Sequence, residues 1–187
     1  MNRAVFLDRD GVLNMPVIRE GRPYPPQTVE EFQLYPEAVE ACAILRKRGF
    51  LLVVVTNQPD VGRGTQTIET VKAIHSRLQE LIPTIEWFEV CTAPDDNAPD
   101  ARRRKPAPGM LLDAARDLNI DLTRSYLVGD RWRDVECGIA AGCTTLFIER
   151  NYQEELRHAP HHYVTDLMEA ASLILSLESR DGPDRAV

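Results

Sequence analysis

The chain is short of cysteine, of basic charge and of long apolar runs, and each shortage excludes something. Its four cysteines, Cys42, Cys91, Cys137 and Cys143, include no pair at CxxC spacing. That sets aside a disulfide scaffold and points to a reducing, cytoplasmic setting. Cys42 and Cys137 fall within helical patterns and read as buried free thiols. The net charge of -7 argues against a general nucleic-acid binder, because phosphate backbones reward basic surfaces. The first apolar run, Ala4–Leu7, is four residues long, too short for the core of a secretory signal. No segment approaches the length of a membrane span. A soluble monomer with neither a nucleic-acid nor a membrane partner is the expectation.

What is present suits one domain. A length of 187 residues, with 43% hydrophobic and 27% charged positions, is enough to bury a core. Ala4–Leu7 reads as a buried strand that ends in charge and glycine. The segment from Asn14 to Leu34 carries Pro16, Gly21, Pro23, Pro25 and Pro26, so an irregular stretch is expected. Pro36 opens a helix to about Arg48, with Val39, Cys42, Ile44 and Leu45 inward and Gly49 as its stop. Leu51–Val55 is apolar on both faces, as a central parallel strand should be. Ile68, Val71, Ile74, Leu78 and Leu81 recur at helical spacing between Thr67 and Ile82. Trp87–Cys91, Tyr126–Val128, Thr144–Ile148 and His162–Val164 read as further strands. Helices are expected from Pro108 or Gly109 to about Leu118, from Trp132 to Ala141, and from an Asp166 cap to about Leu177. Residues 178–187 lack an apolar anchor and read as a frayed tail. Alternating strands and helices predict an α/β fold: a Rossmann-like, doubly wound parallel sheet with helices on both faces and no separate cap domain.

In such sheets ligands bind beyond the carboxyl ends of the strands. The residues there are Asp8-Arg9-Asp10-Gly11, Thr56-Asn57-Gln58, Arg104-Lys105-Pro106 and Gly129-Asp130-Arg131, with Asp134 one turn on. Asp8 and Asp10 share one side of extended backbone. Two close carboxylates repel, and a cation relieves that. Asp130 adds a third acid, and carboxylates with waters and a substrate phosphate suit magnesium. Thr56 and Lys105 offer donors for phosphoryl oxygens. Each motif alone is weak; their shared position at the strand ends carries the reading.

The run Phe6-Leu7-Asp8-Arg9-Asp10-Gly11-Val12-Leu13-Asn14, followed by Thr56-Asn57-Gln58, Arg104-Lys105-Pro106 and Gly129-Asp130, resembles the haloacid dehalogenase superfamily. The DRDGVLN form with TNQ and RKPxPGM resembles its branch of heptose bisphosphate and histidinol phosphatases. The resemblance implies a phosphomonoester hydrolase with a small-molecule phosphate ester as substrate. A sugar phosphate is expected first, with histidinol phosphate as the alternative. A catalytically silent binding module is the non-enzyme alternative, disfavoured because no catalytic position is lost. Asp8 matches the nucleophile. Asp10 matches the general acid and then the base, and its backbone carbonyl matches a magnesium ligand. The carboxylates of Asp8 and Asp130 match the other magnesium ligands. Thr56 and Lys105 match phosphoryl-binding groups, and Asp134 a supporting acid. Arg9, Asn57, Gln58, Arg104 and Arg131 are the candidate substrate contacts. The second aspartate favours ester hydrolysis over dehalogenation, since a halide leaves without a proton.

Relatives in this branch commonly carry a zinc loop before the lysine. Here only Cys91 stands at one of those positions, and residues 101–104 read Ala-Arg-Arg-Arg. A structural zinc needs four nitrogen or sulfur ligands, so no zinc is expected. Arg19, Arg22 and Tyr24 are further candidates to face the substrate. His158, His161 and His162 read as surface loop, and His75 as an ordinary mid-helix residue.

Overall fold

The computed structural model describes residues 1–19, 22–150, 152 and 154–180. The elements are β1 (Ala4–Leu7), β2 (Val17–Arg19), β3 (Arg22–Tyr24), α1 (Ala38–Lys47), β4 (Leu51–Asn57), α2 (Pro59–Gly62), α3 (Ile68–Leu81), β5 (Trp87–Cys91), α4 (Gly109–Asp117), β6 (Tyr126–Gly129), α5 (Trp132–Ala141), β7 (Thr144–Ile148), β8 (His162–Val164) and α6 (Leu167–Arg180). Among the described residues six strands form one parallel sheet in the order β5-β4-β1-β6-β7-β8. This is the expected doubly wound α/β architecture.

The period-two geometry of a strand divides the core in two. Val5 and Leu7 of β1, with Leu52 and Val54 of β4, pack with α1, α3 and α6 through Leu45, Ile74, Leu78 and Ile174. Ala4 and Phe6, with Val53 and Val55, pack on the other face with Met110 and Leu111 of α4 and Cys137 of α5. Because β1 lies between β4 and β6, the carboxyl ends of these three neighbours meet. There the chain reverses its direction of winding, and a crevice opens.

Four expectations change. The proline-rich segment contains the antiparallel hairpin β2–β3, in which Ile18 pairs with Pro23. A two-stranded ribbon has only edges, and an edge tolerates a residue with no N–H. β4 continues through Thr56 to Asn57, and the short α2 follows with Pro59 at its start. Val39 of α1 is exposed, and Ala38 and Ala41 take the inward face instead. α6 runs past Leu177 to Arg180: Glu178 pairs with Arg3 and accepts the Tyr126 hydroxyl at 2.9 Å. Residues 181–187 lie outside the described part of the chain. No helix among the described residues is long and apolar enough to cross a membrane.

Candidate active site

Asp8 leaves the end of β1 at the floor of a cleft of about 360 Å³. Its Oδ1 accepts the backbone N–H of Arg9 at 2.7 Å and lies 2.9 Å from the ammonium of Lys105. No hydrogen bond among the described residues engages its other oxygen. Lys105 is itself buried; it donates to the carbonyl of Val55 at 2.9 Å and sits 2.6 Å from Asp134 Oδ1. Its loop is clamped to β4, since Asn57 donates to Lys105 O and accepts from Lys105 N, both at 3.0 Å. Asp134, in the first turn of α5, accepts the N–H of Arg131 at 3.0 Å and so caps its own helix.

Asp8, Asp130 and Asp134 present carboxylate oxygens within 4.8 Å of one another, and all three residues are buried. The backbone makes room for this. Gly11 has φ of +94°, and a Cβ there would fall 1.8 Å from Asp130 Oδ2. Burial and the Asp134 charge push the Asp8 carboxyl up to about 7. Burial and then Asp8 hold Asp130 well above the usual carboxylate range. Burial alone would lower Lys105, but Asp134 and Asp8 outweigh it and keep the ammonium charged. Lys105 thus pairs with two of the three acids, Asp8 and Asp134, and Asp130 Oδ1 is buried without a hydrogen-bond partner among the described residues. A hard divalent cation with oxygen ligands fits that surplus of negative charge.

Similarity to known proteins agrees with this constellation. The D-glycero-D-manno-heptose-1,7-bisphosphate 7-phosphatase of Chlorobaculum tepidum is 34% identical over 91% of this chain and 92% of its own length. The chain belongs to the haloacid dehalogenase-like hydrolases. The HAD-hydrolase-like family model matches residues 102–170. The corresponding enzyme of Thermosynechococcus vestitus is 33% identical over 91% of this chain and 94% of its own. Among solved structures, D,D-heptose 1,7-bisphosphate phosphatase from B. bronchiseptica, complexed with magnesium and phosphate, superposes with a TM-score of 0.79 at 28% identity. That match covers 94% of this chain and 99% of the other.

In this haloacid dehalogenase-like chain Asp10 also lines the cleft. Its carboxylate is held by donors on several sides. Arg9 donates from Nε and Nη2, at 3.2 and 2.9 Å, Asn14 Nδ2 at 3.0 Å and Gln58 Nε2 at 2.9 Å. Gln58 Nε2 also reaches Thr56 Oγ1 at 3.0 Å, and Thr56 stands in the cleft wall. The substrate-contact reading of Arg9 and Gln58 is therefore corrected. Arg9 is fully enclosed and Gln58 nearly so, and neither lines the cleft. Both support Asp10 and Thr56 from behind.

Arg104, Arg131 and Asn57 do line the cleft. Arg104 donates to Ala93 O at 3.0 Å and pairs with Asp96 at 3.2 Å. Arg131 pairs with Glu154 and stacks over the Tyr152 ring, 5.1 Å from its centroid. Pairing with Glu154 holds the Arg131 guanidinium above its usual range. Tyr24 reaches the wall from the hairpin. Arg19 instead turns outward and pairs with Glu31 at 3.1 Å. The side chain of Arg22 lies outside the described residues.

Sequence reasoning missed several wall residues, among them Asp60, Arg63, Arg133 and Tyr152. Arg133 followed in the same run as Arg131 and was legible there. Tyr152 had no motif around it, and Arg63 sat in a glycine-rich loop. His158 pairs with Glu136 at 3.0 Å, and Thr145 N donates to His161 Nδ1 at 3.0 Å. Neither histidine joins a metal-like group among the described residues.

The loop before Lys105 is held by charge. Arg103 pairs with Glu89, with Asp113 at 3.1 Å and with Asp100 at 3.5 Å. Cys91 donates to Asp100 O at 3.8 Å. No second cysteine or histidine stands with it in a metal-like group among the described residues, so this donor set does not fit a structural zinc.

Proposed function

We propose that this chain is a magnesium-dependent phosphatase of a sugar bisphosphate and works through an aspartyl-phosphate on Asp8. The observation that carries the reading is Asp8 itself. One carboxylate oxygen is pinned by Lys105 and the Arg9 N–H while the other is free, at the floor of an open cleft. Asp8, Asp130 and the backbone carbonyl of Asp10 would hold the magnesium, and Asp134 would support Lys105 behind them. Bound there, the ion would offset the charge of the phosphoryl group and of the crowded carboxylates.

The protein's own groups supply the rest. The Asp8 carboxylate forms a bond to phosphorus as the bond to the ester oxygen breaks. Asp10 gives its proton to the departing alcohol, then takes one from the water that cleaves the aspartyl-phosphate. Thr56 holds a phosphoryl oxygen, and Lys105, whose three N–H groups go to Val55 O, Asp8 and Asp134, sets its positive charge beside the phosphoryl group. Arg104, Arg131 and Arg133 sit along the same cleft and suit a second anionic group. The heptose bisphosphate activity of the relatives supports that choice of substrate.

A panel of phosphate esters with magnesium tests both levels. D-glycero-D-manno-heptose 1,7-bisphosphate should be preferred, and Asp8→Asn should lower kcat by on the order of 10⁴-fold or more. Equal turnover of unrelated esters would remove the substrate assignment. Equal phosphate release by wild type and Asp8→Asn would remove the mechanism.

A further inference from the structure

His75 lies on α3, outside the cleft, in a position that helical spacing alone assigns to the core. The structure gives it a polar partner. Its Nε2 lies 3.1 Å from Arg9 Nη1. Arginine has only donors, so Nε2 must be the unprotonated ring nitrogen. The imidazole stacks on Phe88 of β5, with ring centroids 4.8 Å apart and planes 21° from parallel. That stack fixes the plane in which Nε2 can accept.

The contact continues to the reacting groups. Arg9 is 0% exposed, so every N–H it does not pair inside the protein is a loss. Nε and Nη2 are spent on Asp10, at 3.2 and 2.9 Å, and Nη1 on His75. The fork bridges the two partners, so its orientation is tied to both His75 and Asp10. Phe88, His75, Arg9 and Asp10 form a single file from the sheet edge to the cleft.

We infer that His75 is a positioning residue for catalysis: through Arg9 it sets where the Asp10 carboxyl stands against the leaving oxygen. The inference rests on the proposed phosphatase reading and assigns a residue to that same site. A carboxyl that protonates a leaving group acts only within hydrogen-bond reach of it. Displacing the guanidinium by an ångström carries the carboxyl with it. Among the described residues no hydrogen bond or ring contact joins His75 to Thr56, Lys105 or Asp8, and Thr56 meets the Asp10 carboxylate only through Gln58, so attack on phosphorus is disturbed less than protonation of the leaving oxygen.

Such a role has a signature that packing lacks. An alkyl phosphate needs its leaving oxygen protonated as the P–O bond breaks. 4-Nitrophenyl phosphate does not, because nitrophenolate leaves unaided. For His75→Leu, kcat/KM for an alkyl phosphate should fall on the order of 10- to 100-fold, and for 4-nitrophenyl phosphate by about twofold at most. His75→Gln keeps an acceptor oxygen and should restore most of the alkyl-ester rate. If the leucine variant does not fold, His75→Met, unbranched and adaptable, serves in its place. Equal losses on both esters, or no recovery with glutamine, would overturn the inference. Wild-type protein inactive on both esters with magnesium would instead overturn the phosphatase reading, so the two failures are told apart.

Discussion

At the scale of single residues, the site depends on buried polar groups positioned by partners inside the protein. His75 shows this through its own titration. Burial, and then the nearby Arg9 charge, push its imidazole down to about 3 from the usual 6.5, while Asp10 opposes that. The unfolded chain therefore takes up a proton near pH 6.5 that the folded protein refuses until about pH 3. This contribution to stability is complete above pH 6.5 and is lost as pH falls, by up to about 1.4 kcal/mol per pH unit. His75→Gln removes the difference, so its denaturation midpoint should fall less steeply than wild type between pH 6.5 and 4. Parallel urea curves for the two proteins across that range would count against it. The same residue marks the limit of sequence reading. Asp8, Asp10, Lys105 and Asp130 were legible because charged groups at strand ends need a reason. His75 was not, because at helical spacing beside Ile74 and Leu78 it looks like any core position, and only the fold brings Arg9 to it. Arg9 misled in the opposite sense: a cation beside two acids reads as a substrate contact until the turn after β1 folds it inward.

At the scale of elements, an arginine ties down the loop before Lys105. Arg103 joins β5, through Glu89, to the 3₁₀ turn over Ala101–Arg103 and to α4 through Asp113. Glu89 is 6% exposed and has one other donor, Trp87 Nε1 at 2.7 Å. Arg103→Met should leave a buried carboxylate underpaired and cost about 2–3 kcal/mol, at or below the foot of the range for a fully buried pair because the arginine is partly solvated. Urea denaturation reads that loss, and a zinc chelator should leave the wild-type midpoint unchanged. A chelator-sensitive midpoint would mean that metal, not Arg103, holds the loop. Strands and helices of the main sheet were legible throughout, since their apolar periods are strong. The β2–β3 hairpin was hidden by its prolines, whose missing N–H matters inside a sheet but not on a two-stranded ribbon. The close of α6 was hidden because Glu178 anchors through Arg3 and Tyr126, pairings that join distant parts of the chain and leave no local pattern.

At the scale of the whole molecule, a net charge of -7 coexists with a cleft whose walls carry Arg63, Arg104, Arg131 and Arg133. The acidic surplus has its densest point beneath them, where Asp8, Asp130 and Asp134 crowd together and Lys105 pairs with Asp8 and Asp134 alone. An arrangement of that kind stores instability in the metal-free fold and returns it on binding. Magnesium at about 100 times its dissociation constant should stabilise the folded state by about 2.7 kcal/mol. For a chain of this size that is a rise in Tm of roughly 5–10 °C. Asp130→Asn separates the two halves of the effect. It keeps the shape of the side chain, and Gly11 leaves the room it needs. It also removes a buried carboxylate whose Oδ1 has no partner. Without magnesium the variant should melt no lower than wild type, and with magnesium it should gain little. A variant that gains as much as wild type would place the ion elsewhere. One that melts well below wild type without metal would show that Asp130 serves the fold rather than the ion.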